Sequence, residues 1–265
     1  MTVLGDIVSG VREDLQARRS EVPLSEITAR AAAAEPARPF DLSADFGVIA
    51  EVKRKSPSRG DLAQIPDPGT LAGLYAAGGA RAISVLTEAR RFNGSLADLD
   101  SVRAAVDIPV LRKDFMVDEY QFHEARAHGA DIVLLIVAAL DPAQVRDFHA
   151  LATELGMAAL VETHNREELE IAADLGAELI GVNTRNLKDL SVDSDRFAPL
   201  AELAPAGCTL VAESGVAGGA EVSKYADAGA DLVLVGEALV TGGRPQAAVE
   251  EYIALGRERR SLSAS

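Results

Sequence analysis

One junction recurs along this chain: a helical stretch, then a Gly-Ala pair, then a run of four to six apolar residues. Its copies read GGARAISVL from Gly78, HGADIVLLIV from His128, LGAELIGVN from Leu175 and AGADLVLVG from Ala228. Glycine just past a helix end supplies the left-handed cap that residues with a Cβ resist, and a continuous apolar run is typical of a strand buried on both faces. Each copy therefore predicts a helix that ends directly before a buried strand.

Four further apolar runs lack the full junction, namely GVIAEVK, IPVLRK, MAALVE and CTLVAES. Together the runs predict eight strands, which start near residues 48, 82, 109, 132, 158, 179, 209 and 232. The clearest amphipathic helices between them cover residues 68–77, 118–127, 142–155, 166–175, 218–228 and 245–260. A strand roughly every 25 residues with a helix in between is typical of βα units.

Alternating strands and helices form a parallel sheet that either closes into a barrel or stays open. An open doubly wound sheet should carry Gly-x-Gly-x-x-Gly after its first strand, whereas this chain has KRKSPSRG there. We therefore predict an α/β fold, a single (βα)8 TIM barrel over residues 47–260. Residues 1–46, with helices near 3–19 and 25–34, are expected to form a helical extension packed on the barrel, and residues 261–265 a flexible tail.

The charge and the apolar pattern exclude several classes of protein. The 265 residues include 26 Lys and Arg against 41 Asp and Glu, a formal net charge of −15, whereas binding to nucleic acid or anionic membranes demands a basic face. The longest apolar run, residues 132–140, is far shorter than the roughly 20 residues of a membrane helix. The first twenty residues lack an export signal, and the single cysteine, Cys208, excludes an intrachain disulfide. We expect a cytoplasmic protein.

Polar residues gather where the predicted strands end. The carboxyl ends of parallel barrel strands meet at one rim, where barrel enzymes build their active sites. The residues concerned are Glu51 and Lys53 on one face of the first strand, Lys113 on the third, Glu162 on the fifth, Asn183 and Arg185 on the sixth, and Glu213 and Ser214 on the seventh. Any one of them alone could be a structural ion pair, but five strands with the same feature predict an active site.

Lysine usage singles out two of these residues. The chain has 21 Arg and only five Lys, yet Lys53, Lys55 and Lys113 all fall in or just after predicted strand ends. Lysine can be tuned to donate a proton near neutral pH, and arginine cannot. We expect burial and a nearby Lys53 to lower the pKa of Lys113, the alternative being a solvated or ion-paired lysine.

The last two strands run into glycine-containing loops, VAESGVAGG and LVGEALVTGG. Gly215 and Gly236 let backbone amides approach a ligand, and in barrels these two loops usually bind phosphate. The alternative is that both glycines only form turns. Glu237 would repel a phosphate, so we expect its side chain to turn away while its amide donates.

No metal or cofactor is expected. None of His123, His128, His149 and His164 has a second His or a Cys at ligand spacing, and His164 falls where the next helix is predicted to begin. Dinucleotide, Walker and Gly-x-Ser-x-Gly motifs are absent. The sequence predicts an acid–base site beside a phosphate pocket, which acts on a substrate like a sugar phosphate.

Seven segments in order resemble the indole-3-glycerol-phosphate synthase family of tryptophan biosynthesis. They are IAEVKRKSPSRG, SVLTEARRFNGSLADL, PVLRKDFMVDEYQ, ALVETHNREELE, IGVNTRNLKDLSVD, VAESGV and LVGEAL, within residues 4 to 255. The resemblance implies closure and decarboxylation of 1-(2-carboxyphenylamino)-1-deoxyribulose 5-phosphate, with loss of carbon dioxide and water, to give indole-3-glycerol phosphate.

The resemblance also implies residue roles. Lys113 would protonate the ribulose carbonyl oxygen, Lys53 would hold the anthranilate carboxylate, and Glu162 would act as a base or as a partner of the leaving hydroxyl in the dehydration. Glu51 would assist proton transfer and Glu213 would hold this network in position. Ser56, Pro57 and Phe115 would shape the aromatic pocket, and Asn183 and Arg185 would bind the substrate. The phosphate would be bound by Ser214, Gly215, Gly236 and Glu237. Because the chain has no Trp, ring contacts must come from Phe115, Phe92 or aliphatic side chains.

Three alternatives stay open. A Schiff-base aldolase would use Lys113 as a nucleophile, and a silent phosphosugar sensor would bind without turnover. The isomerase one step earlier in the pathway would need an Asp and Cys pair, yet Cys208 is predicted at the amino end of its strand. We expect a monomer or a weak homo-oligomer with a small-molecule substrate.

Overall fold

Eight parallel strands close into a barrel in the described part of the chain. The computed structural model describes residues 3–43, 45–56, 60–61, 65–187 and 189–263. The barrel strands are β1 Gly47–Val52, β4 Ala82–Leu86, β5 Val110–Lys113, β6 Ile132–Ile136, β7 Ala158–Thr163, β8 Leu179–Asn183, β9 Thr209–Glu213 and β10 Leu232–Val235. Each pairs with its neighbours in chain order, and β10 pairs with β1. The predicted (βα)8 barrel is confirmed.

Helices precede the barrel and surround it. They are α1 Val3–Glu21, α2 Leu24–Ala33, α3 Pro68–Ala77, α4 Ala89–Phe92, α5 Leu96–Ala105, α6 Glu119–Ala127, α7 Pro142–Glu154, α8 Arg166–Asp174, α9 Phe197–Ala201, α10 Gly219–Asp227, α11 Glu237–Thr241 and α12 Pro245–Ser263. Because α12 continues to Ser263, three of the five residues expected to form a C-terminal tail are helical. No helix in these ranges has both the length and the apolar character needed to cross a membrane.

Four of these helices, α4, α5, α9 and α11, lie outside the sequence prediction. Three of them have only four or five residues, too few for a helical period to be visible. The longer α5 does carry a start signal, because the Ser95 side chain accepts a hydrogen bond from the Asp98 amide. A short antiparallel hairpin of β2 Lys55–Ser56 and β3 Gly60–Asp61, which follows β1, was not predicted either.

The Gly-Ala junctions behave as predicted. Gly79, Gly129, Gly176 and Gly229 all have positive φ, between 72° and 98°, at helix ends. The alanine that follows each of them donates a hydrogen bond to a carbonyl in the last helical turn. In the two junctions that read Gly-Ala-Asp, the aspartate reaches a neighbouring strand: Asp131 accepts from the Val110 amide and Asp231 from the Leu210 amide, both at 2.9 Å. The repeat therefore ends a helix and also fixes the start of the adjoining strand.

Residues alternate between two apolar layers along the strands. Val48, Ala50 and Val52 of β1 pack in the layer between the barrel and its helices, whereas Ile49 lies in the barrel interior. The same interior cluster includes Ile7 and Val11 of α1, so the N-terminal helix contributes to the barrel core. Glu51 shares the inward parity of Ile49 and is 6% exposed.

Candidate active site

The predicted site residues line one cavity at the carboxyl rim of the barrel. Those in the described ranges are Glu51, Lys53, Lys113, Phe115, Glu162, Asn183, Arg185, Glu213, Ser214, Gly215, Gly236 and Glu237. Pro57 lies outside the described residues, and Ser56 is described only as part of strand β2. Strand parity therefore brings together residues that are far apart in the chain.

Lys113, which lines this cavity, lies between two carboxylates. Its Nζ donates a hydrogen bond to Glu162 Oε2 at 3.0 Å and lies 3.2 Å from Glu213 Oε2. The Lys113 side chain is 14% exposed and both carboxylates are 2% exposed. An ammonium and two carboxyl groups that are within hydrogen-bond distance and shielded from solvent form a cluster able to exchange protons.

The charge state of Lys113 differs from the sequence prediction. Burial does disfavour the ammonium, but the negative charges of Glu162, Glu213 and Glu51 outweigh it and raise the pKa of Lys113. The expected lowering of this pKa is therefore wrong. From the sequence we expected the positive charge of Lys53 to lower the pKa of Lys113. In the structure Lys53 instead forms an ion pair with Glu51.

Glu162 and Glu213 respond in opposite directions to the same lysine. Burial raises the pKa of Glu162, but the charge of Lys113 and the nearby His164 outweigh burial and lower it overall. Burial raises the pKa of Glu213 to about 8. The positive charge of Lys113 lowers this pKa but does not outweigh burial, and the negative charge of Glu162 raises it further. At neutral pH the cluster thus holds one ionised carboxylate, one protonated carboxyl and one ammonium.

Two glycines make room for these carboxylates. A Cβ at Gly181 of β8 would collide with Glu213 Oε1, and a Cβ at Gly236 would lie 2.7 Å from Glu51 Oε1. Gly236, predicted as a phosphate-loop residue, therefore also permits the close packing of Glu51. Gly181 was not singled out from the sequence, because its strand position gives no sign of the side chain that reaches it.

The polar residues after β8 and β9 are linked to one another. Asn183 Oδ1 accepts hydrogen bonds from Ser214 Oγ at 2.9 Å and from the Arg185 amide at 3.0 Å. Arg185 donates in turn to the Leu190 carbonyl at 2.9 Å. These bonds fix the two loop starts relative to each other, so that Asn183 and Arg185 border the cavity together.

The backbone turns sharply in the loop after β9. Ser214 and Gly215 have φ of 67° and 78°, two successive left-handed residues. The Tyr225 hydroxyl donates to the Ser214 carbonyl at 3.0 Å, and a Cβ at Gly215 would lie 2.8 Å from that hydroxyl. The turn is therefore held from behind by α10. Glu237 begins α11 directly after Gly236, and both border the same cavity.

The opposite wall of the cavity is apolar. The Phe115 and Phe92 rings lie 6.5 Å apart between centroids, and both line the cavity with Ile7 of α1. The sequence singled out both phenylalanines for the aromatic wall, but it missed Ile7, because an amphipathic N-terminal helix does not show which barrel end it covers. Asp114, also missed, borders the cavity and pairs with the fully buried Arg112 at 3.0 Å.

His164 is the functional candidate that sequence reasoning set aside. Its Nε2 lies 3.3 Å from Glu162 Oε1 and its Nδ1 3.0 Å from Glu168 Oε2. Burial disfavours its charge, but the two glutamates outweigh burial and raise its pKa to about 9. The sequence signal that could have identified His164 is the period-2 alternation of a strand, which places residues 162 and 164 on the same face where β7 ends.

Across the described ranges, no three His, Cys, Asp or Glu side chains form a group that could hold a metal ion.

A closed parallel barrel with a buried lysine–carboxylate cluster and glycine loops at its carboxyl rim defines the class of (βα)8 barrels with a candidate active site at that rim. Comparison with protein families matches residues 4–252 to the family described as Indole-3-glycerol phosphate synthase. The chain belongs to this family and is a carboxy-lyase of tryptophan biosynthesis.

Curated relatives match over nearly the whole chain. The indole-3-glycerol phosphate synthase of Paenarthrobacter aurescens is 58% identical over 264 residues, which cover 97% of both chains. That of Mycolicibacterium gilvum is 58% identical and covers 96% of this chain and 95% of its own.

Solved structures of other enzymes share the fold. A 3-hexulose-6-phosphate synthase from Salmonella typhimurium superposes with a TM-score of 0.67 at 15% identity, covering 81% of this chain and all of that one. A thiamine phosphate pyrophosphorylase from Pyrococcus furiosus gives a TM-score of 0.59 at 17% identity, covering 81% and 96%. At such low identity these similarities concern the barrel alone.

Proposed function

We propose that this chain converts 1-(2-carboxyphenylamino)-1-deoxyribulose 5-phosphate to indole-3-glycerol phosphate by lysine and glutamate acid–base catalysis, without a cofactor. The observation that carries the proposal is the position of Lys113, in hydrogen-bond contact with Glu162 and 3.2 Å from Glu213 in a cavity that also reaches Lys53.

Lys113 is the general acid of ring closure. As the aryl carbon attacks the ribulose carbonyl carbon, the ammonium donates a proton to the carbonyl oxygen, and its positive charge offsets the developing alkoxide. Its raised pKa keeps the side chain protonated, which disfavours a nucleophilic role, because an aldolase lysine must be a free amine.

Lys53 and Glu51 form the second ion pair of the site. In the proposed mechanism, Lys53 holds the anthranilate carboxylate until carbon dioxide leaves and the electrons of that bond restore the aromatic ring. Glu51, 6% exposed and paired with Lys53, orients the lysine and relays protons.

Glu162 acts in the dehydration that follows. Ionised in the free enzyme, Glu162 accepts the proton that the ring carbon next to the nitrogen loses, while the neighbouring hydroxyl takes up a proton relayed by Glu51 and leaves as water. Glu162 then passes its proton to Lys113, which gave one up in ring closure, so both groups return to their starting charges. Glu213 forms a second ion pair with Lys113 and so holds its ammonium group in position.

The remaining contacts bind the substrate. Asn183 and Arg185 bind its hydroxyls, and the wall of Phe115 with Ser56 and Pro57 receives the aromatic ring. Ser214, Gly215, Gly236 and the amide of Glu237 receive the phosphate. Because closure is unimolecular, much of the acceleration comes from folding the substrate between these walls.

We further propose a cytoplasmic enzyme that is monomeric or weakly associated, with residues 1–46 as an extension packed on the barrel of residues 47–260. The ion pairs of Arg18 with Glu124 and of Arg19 with Asp118 support the packed extension. In the described residues the exposed large apolar side chains are scattered, namely Leu74, Val192, Leu203 and Leu262, which supports weak association. Sedimentation velocity tests this state.

The experiment for the reaction follows indole fluorescence and carbon dioxide release after the carboxyphenylamino substrate is added without metal or nucleotide. We expect both signals to rise together. Binding without either signal would identify a phosphosugar sensor, and a borohydride-trapped adduct on Lys113 would identify a Schiff-base enzyme. Either result would overturn the proposal.

A further inference from the structure

The ring of His164 lies between two glutamates behind the acid–base cluster. Its Nδ1 is 3.0 Å from Glu168 Oε2, which also accepts the His164 amide at 2.8 Å. Its Nε2 is 3.3 Å from Glu162 Oε1 and makes no directed hydrogen bond within the described part of the chain. The ring is 7% exposed, so its contact with Glu162 is an almost dry charge–charge contact.

The surroundings hold this ring firmly in place. Asn165, the N-cap of α8, donates to Glu168 Oε1 at 2.6 Å and receives the Glu168 amide at 2.9 Å. Arg196 donates to the His164 carbonyl at 2.7 Å. Glu168 is therefore a fixed anion that keeps the imidazole oriented towards Glu162.

The two oxygens of Glu162 consequently face two different cations. Oε2 contacts Lys113 and Oε1 contacts His164. Without the imidazolium, one buried lysine would have to balance both Glu162 and Glu213, and two carboxylates that share one cation compete for a proton. The cation behind Glu162 thus favours placing that proton on Glu213.

We propose that His164, anchored by Glu168, is a positioning residue of the reaction, which keeps Glu162 ionised and fixes which of its oxygens faces Lys113. This inference rests on the role of Glu162 in the proposed function. The charged groups that face His164 are Glu162 from β7, Glu168 from α8 and, through the His164 backbone, Arg196; the other side chains that border its outer cleft are neutral.

The test compares His164→Asn with the wild type and with His128→Asn. Asn is neutral and retains a donor for Glu168. His128 is a matched control, because it pairs with Asp100 on the surface at 2.7 Å, on the side of the barrel helices. We expect His164→Asn to lower kcat about 10-fold with KM within about 2-fold, and to move the acidic limb of kcat up by about one pH unit. His128→Asn should leave kcat, KM and both limbs unchanged.

A structural role alone would not move the acidic limb. An unshifted limb with kcat within about 2-fold of wild type would overturn the inference. Ring-nitrogen NMR keeps it testable if His164→Asn does not fold: in the wild type the His164 ring should titrate near pH 9, and in Glu168→Gln at lower pH. Titration of the wild-type ring near its ordinary value of 6.5 would contradict the inference.

The two proposals fail separately. If the wild type forms no indole product, the proposed function fails, and the NMR titration still reports whether His164 carries a charge beside Glu162. If the wild type turns over and His164→Asn behaves as His128→Asn does, only the positioning role is lost.

Discussion

Lys113 and Glu162 share a hydrogen bond of 3.0 Å although 49 residues separate them in the chain. They lie on β5 and β7, with β6 between, and both side chains point into the barrel. The contact thus spans an intervening strand and depends on the curvature of the closed sheet. It also sets the two charge states on which the mechanism relies, because each group stabilises the charged form of the other.

Lys113→Arg tests the proton donor. The guanidinium keeps the positive charge, but its planar, branched head cannot place a single N–H where Nζ lies between Glu162 and Glu213, so we expect kcat to fall roughly 100-fold or more, as for loss of a general acid. Lys224→Arg is the matched control, because Lys224 pairs with Asp195 on the surface. The measurement is steady-state fluorescence of the indole product. A rate near wild type would exclude Lys113 as the acid.

Glu162→Gln tests the base. The amide keeps the size of the side chain and its contact with Lys113 but cannot take up a proton, so kcat should fall roughly 100-fold while KM changes by less than about 3-fold. Glu26→Gln, which alters an exposed pair with Arg30, should leave both constants unchanged. An unaltered kcat in the site variant would remove Glu162 from the mechanism.

Glu213 should make the stability of the fold depend on pH. Burial raises its pKa from an ordinary 4.5 to about 8, so between these values the folded state holds a proton that the unfolded state has released. Stability falls as pH rises wherever the folded state binds more protons. The contribution of Glu213 should therefore be complete below pH 4.5 and lost by about pH 8.

The measurement is the difference in Tm between wild type and Glu213→Gln across that range. Gln carries no titrating proton, so the wild type should lose stability relative to the variant as pH rises. Parallel Tm curves would mean that Glu213 is already ionised in the folded protein at low pH.

Asp131→Asn tests the opposite end of the barrel. Asp131 is fully buried and accepts hydrogen bonds from Arg103 at 2.8 Å and from the Val110 amide at 2.9 Å. Leaving Arg103 without its partner should lower the free energy of unfolding by about 3 kcal/mol, whereas Asp227→Asn, in an exposed pair with Arg259, should cost less than about 1 kcal/mol. Urea denaturation measures both.

Measuring kcat distinguishes a loss of stability in Asp131→Asn from a loss of catalysis. Asp131 precedes β6 at the amino end of the barrel, so kcat of the folded Asp131→Asn variant at low temperature should match that of the wild type. Equal stability of the two Asn variants would show that Asp131 contributes no more than a surface charge. A large loss of kcat in the folded protein would show that this end is coupled to the site.

Much of the architecture is visible in the sequence, because the signals that produce it are local. A glycine such as Gly129 ends a helix through its own backbone, and a run such as residues 132–136 is buried on both faces wherever the barrel closes. Period-2 parity likewise places Glu51 and Ile49 on one face without any knowledge of neighbouring strands. The short helices α4, α9 and α11 escape this reasoning, since one turn carries no period.

The electrostatics of the site depend on tertiary structure. The sequence shows that Lys113 and Glu162 end their strands, but the pKa of each depends on which groups the closed barrel places within a few ångströms of it. Lys113 meets Glu162 and Glu213 rather than Lys53, so its pKa rises where the sequence alone predicts a fall. The residues that can do the chemistry are thus determined by the sequence, whereas their charges are decided by three-dimensional proximity, because Coulomb interactions and desolvation act through space and not along the chain.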